Sequence, residues 1–169
     1  MKLPDGRPLV LSEEPLLPHR IGQPPAEAPQ WRGAAFVGGL VLAGLALWAG
    51  RRRPRLLAGA ALGFWTVAGL AGALMLFIWF GSAHVAGHGN ENLLLLSPLC
   101  LLLLPGGWAA LRGREPSPRF RALLVAVAAC AALAGFLKFL PFRPQQNVEW
   151  VLLLLPLHWA LLRAFAPKR

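Results

Sequence analysis

Charge is scarce in this chain of 169 residues. Only 14% of the residues are Asp, Glu, Lys or Arg, where a soluble domain carries about 25%. Hydrophobic residues make up 56%, and mean hydropathy is +0.54. That shortage excludes a water-soluble domain with a large core and points to an integral membrane protein. Acidic residues are fewest, at 7, so the net charge is +10. Such a balance can signal nucleic-acid binding. Here the arginines sit in short loops beside apolar runs, which membrane topology explains, and no nucleic-acid partner is expected. Tyrosine is absent, and lysine occurs only at Lys2, Lys138 and Lys168. With abundant Ala, Gly and Pro, that bias is associated with GC-rich bacterial genomes.

Several chemical signatures are missing as well. The two cysteines, Cys100 and Cys130, lie inside apolar runs with no CxxC, and read as small buried hydrophobes. No nucleotide-binding loop, GxSxG or paired catalytic carboxylate motif occurs. Ser82, Ser97 and Ser117 have no triad context. No apolar h-region follows Lys2, so no signal peptide is expected there. Residues 1–32 read as a Pro-rich extracytoplasmic tail: "PDGRPLVL" is a turn and a short extended run, and "GQPPAEAP" a stiff linker.

What is present is apolar length. Residues 33–169 read as a transmembrane domain of five helices, with spans near 33–50, 56–80, 93–111, 120–140 and 149–166. A span needs ~20 residues, within a range of ~17–25. Lipid leaves no partner for free backbone groups, so the fold class is all-α. The third run is interrupted by Pro98 and by Pro105-Gly106-Gly107, the fifth by Pro156. Such prolines persist where neighbouring helices cover the freed carbonyls.

The loops set a direction. Arg51, Arg52, Arg53 and Arg55 link spans one and two; Arg112, Arg114, Arg119 and Arg121 link three and four; Arg163, Lys168 and Arg169 end the chain. The opposite loops hold only Lys138 and Arg143. The positive-inside rule puts the arginine side in the cytoplasm, with the N-terminus outside and the C-terminus inside. Trp31, Trp79 and Trp150 fall at outer ends, and Trp48 and Trp108 at inner ends, as interfacial anchors. The expected location is the bacterial cytoplasmic (inner) membrane, multi-pass.

Polar side chains cluster on the outer loops: His84, His88, Asn90, Glu91 and Asn92 in one, and Gln145, Gln146, Asn147 and Glu149 in the other. They are either ordinary solvated loop residues or a shallow site for a head group, a peptide or a partner. The two stretches echo each other. "ENLLLLSPL" and "EWVLLLLPL" each place a proline seven residues after a glutamate (Glu91 and Pro98, Glu149 and Pro156), so the loops could lie side by side. Glu91 and Glu149 stand at helix starts, where carboxylates cap free N–H groups and favour the dipole. Lys138 could snorkel outward or pair with one of them. His84 and His88 are four apart and would share a helix face as a metal pair. Gly87 and Gly89 argue for loop instead, no third ligand is spaced to match, and no metal or cofactor is expected. His158 is the ionisable residue deep in a span. It reads as a residue hydrogen-bonded to a neighbouring helix ahead of a relay or haem ligand, since no second histidine lies at its depth. Gly59 and Gly63 form a GxxxG that would permit close helix contact.

"HGNENLLLLSPLCLLLLP" and "QQNVEWVLLLLPLHWALL" each lead an Asn-containing polar turn into a leucine helix with a proline. Over about residues 33–167 this pattern resembles the C-terminal membrane region of the bacterial Lnb-like lipoprotein N-acyltransferase family, the DUF4105 group. The resemblance implies a lipid or lipoprotein context and a preceding extracytoplasmic domain. The family's proposed nucleophile and base belong to that domain, so no catalytic residue carries over. The expectation is a membrane module that is not catalytic alone. Its expected partners are the lipid bilayer and an extracytoplasmic domain or a membrane subunit. The alternatives are an accessory subunit of a larger membrane complex, or a small transporter or metal-linked protein.

Overall fold

The computed structural model describes residues 31–83, 88–141 and 145–166. The elements are α1 (Arg32–Arg52), α2 (Pro54–Gly81), α3 (Asn92–Leu95), a 3-10 segment (Pro98–Leu103), α4 (Leu104–Leu111), α5 (Pro118–Leu137) and α6 (Val148–Ala164). Four stretches are long and apolar enough to cross a membrane: α1, α2, Asn92–Leu111 and α5. The remaining helix, α6, has 17 residues, about 25 Å of rise at 1.5 Å each. Bulky apolar side chains point outward along these helices. Val67 is 69% exposed and Phe77 65%, and Leu45, Leu70, Leu74 and Val125 are also exposed. A belt of that kind suits lipid rather than water.

Local sequence explains the starts and stops. Pro54 and Pro118 each open a helix, where a missing N–H costs nothing. The Ser117 hydroxyl accepts from the Phe120 N–H at 3.2 Å and caps α5. Pro105 sits in the first turn of α4, so the Pro105-Gly106-Gly107 run continues a helix there. Pro98 breaks the third stretch. Leu96 leaves helical geometry, and the Ser97 hydroxyl accepts from the Leu99 N–H at 3.3 Å as the chain restarts in 3-10 form. Pro156 leaves α6 continuous.

Both prolines free carbonyls that neighbouring glycines cover. A Cβ on Gly72 of α2 would overlap the Leu96 oxygen, and one on Gly39 of α1 would overlap the Leu152 oxygen, four residues before Pro156. Only a residue without a side chain lets the helices approach so closely. Gly59 and Gly63 play no such part: both are exposed, and nothing lies within 4 Å of a Cβ at Gly63. The close contacts of α2 come instead at Gly69, against Leu101, and at Gly72.

The bundle closes between its first and last helices. Gly39 meets Leu152 and Leu153, and Gly50 meets Ala164, so α1 and α6 run side by side in the same direction. Gly135, near the end of α5, meets Val151 and Leu155, near the start of α6, so these two helices also pack together. The core centres on Trp65, which is fully buried. Phe120 and Phe165 each lie 5.7 Å from its ring and 5.5 Å from each other. Trp31, Trp48, Trp108 and Trp150 remain about half exposed at helix ends, as anchors in the interfacial region do.

Candidate functional site: two interlocked polar loops

The loop after α2 turns at Gly89, whose φ of +67° falls in the left-handed region that glycine tolerates. Asn90 follows, and its side-chain oxygen accepts from the Asn92 N–H at 3.0 Å, an Asx turn that starts α3. That oxygen also accepts from Gln145 Nε2, at 2.9 Å, across in the α5–α6 loop. The other end of the Gln145 amide, Oε1, accepts from the Glu91 N–H at 2.7 Å. One glutamine therefore satisfies two groups of the opposite loop. Asn147 Nδ2 adds a third link, donating to Asn92 Oδ1 at 2.7 Å. The two loops expected to lie side by side are hydrogen-bonded to each other.

An ion pair lies beneath these links. Lys138, at the end of α5, donates from Nζ to Glu91 Oε2 and, at 3.0 Å, to the Gln145 carbonyl. The Glu91 and Lys138 side chains are 4% and 12% exposed. Two charges removed from water in this way are tolerated only when matched and hydrogen-bonded. Glu91 does not cap: its backbone is helical and its side chain makes no cap bond. Among the described residues Lys138 is the cation paired with this buried carboxylate, and the side chain turns to it instead of to the helix start. Glu149 lies in the first turn of α6, where it favours the dipole, and Arg32 Nε of α1 donates to it at 3.2 Å. Lys138, one of the two fates considered for it, is thus paired rather than snorkelling.

The remaining expected residues divide as follows. His88 is exposed on the turn, and Gln146 is exposed in the second loop. His84 and Arg143 lie outside the described residues, so a His84–His88 metal pair has no described geometry. Among the described residues no three His, Cys, Asp or Glu side chains form a metal-binding group. His158 sits one turn below the cluster, 3% exposed, with Nε2 2.9 Å from the Leu95 carbonyl oxygen. The nitrogen therefore donates to a carbonyl that the break at Pro98 leaves without its helical partner. The Phe64 ring packs against the imidazole at 5.4 Å between centroids. Cys100 is fully buried and Cys130 half-buried.

Chemically the cluster is a closed, charge-balanced platform. Glu91 is committed to Lys138, and Glu149 to Arg32. One group stands apart: Asn147 Oδ1 is buried without a hydrogen-bond partner among the described residues. Sequence reasoning missed Arg32 as a partner and Gln145 as the bridge. Asn90 and Asn92, two apart at a helix start, carried the signal for the Asx turn; nothing in the sequence marked Gln145 over Gln146.

Apolar helices of spanning length and an outward apolar belt define a multi-pass helical membrane protein that lives in a lipid bilayer. A family model described as the Lnb transmembrane domain matches residues 34–166, and the chain belongs to that family. No curated protein and no solved structure matches it.

Proposed function

We propose that this chain is the membrane module of an Lnb-type system for lipid or lipoprotein modification in the bacterial inner membrane. It presents the interlocked loops outside the cell membrane to an extracytoplasmic catalytic domain or to the lipid-bearing substrate. The observation that carries this reading is the Glu91–Lys138–Gln145–Asn90 network, which fixes two loops distant in sequence as one polar surface. Ordering two loops costs conformational entropy, and a merely solvated loop has no need to meet that cost. Residues 1–32 would be the tail on this side and 33–169 the membrane domain.

The reading includes five spans, with the N-terminus outside and the C-terminus inside. The parallel course of α1 and α6 supports it, since an odd number of crossings carries the first and last helices the same way. So do the arginines, which gather at the end opposite the loops. α6 is short, but helices shorter than the bilayer core are accommodated by local thinning at modest cost.

The test is a photo-cross-linking residue at position 88 or 146, both exposed on the platform, with position 139, an exposed apolar residue just after α5, as a control. Capture of a lipoprotein or of an extracytoplasmic domain at 88 and 146, but not at 139, is the expected result. Capture of a fixed membrane subunit at those positions would favour the accessory-subunit alternative. Labelling of bulk phospholipid alone, equal at all three positions, rules the reading out.

A further inference from the structure

At the end of the bundle far from the loops, α1 and α2 touch little, and one of their contacts, Gly50 against Leu57, lies beside the connecting turn. Above it they leave an apolar groove of roughly 530 Å³, floored by α6 through Leu157 and Leu161. Its walls include Leu45 and Trp48 of α1 and Leu56 and Ala60 of α2. The Leu56–Phe64 wall rises about 12 Å at 1.5 Å per residue, close to the depth of one leaflet, half of a ~30 Å core.

One end of this groove adjoins a positive turn, since Leu56 in its wall directly follows Arg55. Arg51, Arg52, Arg53 and Arg55 all lie exposed at the turn, and none pairs with a described acid. α2 starts at that turn with no side-chain cap and no acidic residue in its first turn, so its free N–H groups also favour an anion. A positive turn adjoining an apolar slot of leaflet depth matches one chemistry: a phosphate head group with an acyl chain.

We propose that the α1–α2–α6 groove binds an anionic phospholipid of the leaflet on the arginine side. One acyl chain lies against Leu45, Ala60 and Leu161, and the phosphate sits at the Arg51–Arg55 turn. Such binding stabilises a helix pair that touches little by itself. This site is separate from the loop platform and shares with that reading only the membrane embedding.

The experiment uses the full chain in vesicles of phosphatidylcholine and phosphatidylglycerol, with each lipid in turn carrying an acyl-chain spin label. Phosphatidylglycerol is expected in the motionally restricted population at about fivefold its bulk share relative to phosphatidylcholine, the factor one arginine near an anionic head group supplies. Replacing all four arginines by glutamine should abolish the preference. Ala60→Trp should fill the slot and also abolish it while leaving the arginines in place; Ala60 is exposed, so the fold tolerates the change. A preference unchanged in Ala60→Trp overturns the proposal, because the arginines would then act as a diffuse surface charge. Equal restriction of both lipids in the unaltered chain overturns it too. Neither result bears on cross-linking at the loops, and the assay reads the same whichever face is cytoplasmic.

Discussion

Glu91 and Lys138 join elements that are 47 residues apart in sequence, and little water reaches either group. Removing one partner strands the other charge, which costs about 3–5 kcal/mol in buried pairs. Glu91→Gln and Lys138→Met should therefore each lower stability strongly in denaturant titrations of the detergent-solubilised protein. Glu91→Leu with Lys138→Leu should recover most of the loss, since apolar replacement of a buried pair is often neutral or better. A double variant as unstable as either single one would mean the pair is not the link it is taken to be. Gln145→Ala should cost about 1–3 kcal/mol, because it leaves the Glu91 N–H without its acceptor; Gln146→Ala should be silent. At this scale the sequence offered a list of polar residues, of which Asn90, Glu91, Asn92, Gln145 and Asn147 are joined across the loops, but not how they join. Ionisable residues near a membrane are few enough to pick out by eye. Their pairing depends on which loop of similar polarity folds over which, and helix periodicity carries no such information.

Among the elements, the third stretch is the most irregular, because Pro98 splits it into α3, a 3-10 segment and α4. Two side groups make the break tolerable: Gly72 admits the Leu96 carbonyl, and His158 donates to that of Leu95. Gly72→Ala should destabilise by about 1–3 kcal/mol through overpacking. Gly63→Ala, on the open face of the same helix, should stabilise by about 0.5–1 kcal/mol. The pair of variants separates packing from helix propensity, and the opposite ranking would refute the assigned contacts. His158→Phe should cost about 0.6–2 kcal/mol, the range for hydrogen bonds between membrane helices. Helix positions were readable from hydropathy to within a few residues: 33–50 became Arg32–Arg52, and 120–140 became Pro118–Leu137. The fate of each proline was not. Pro98 ends a helix, Pro105 begins one and Pro156 passes through one, since each outcome depends on what the neighbouring helix offers the freed carbonyl. The GxxxG at Gly59 goes unused for a related reason: the spacing marks a smooth face, while packing selects which smooth face is used.

For the whole molecule, the testable quantity is direction. Reporter fusions at residue 85 and at residue 115 are expected to read outside and inside, respectively; the reverse would refute the proposed orientation. The charge asymmetry behind that expectation was legible at once, because it needs only counting. The contact between α1 and α6 was not, as no local pattern links the two ends of the domain. That contact also has a consequence for synthesis. Nearly a hundred residues separate the end of α1 from the start of α6, and at ~5–20 residues per second the ribosome takes roughly 5–20 s to make them. Through that interval Gly39 has no α6 to pack against, and α1 has only its neighbour α2 to lean on, through contacts such as Gly50 with Leu57. The α1–α6 contact can therefore form only after the final helix has been made. A stalled or truncated chain would expose the small-residue stripe of α1, the feature by which quality-control proteases could recognise an orphaned intermediate.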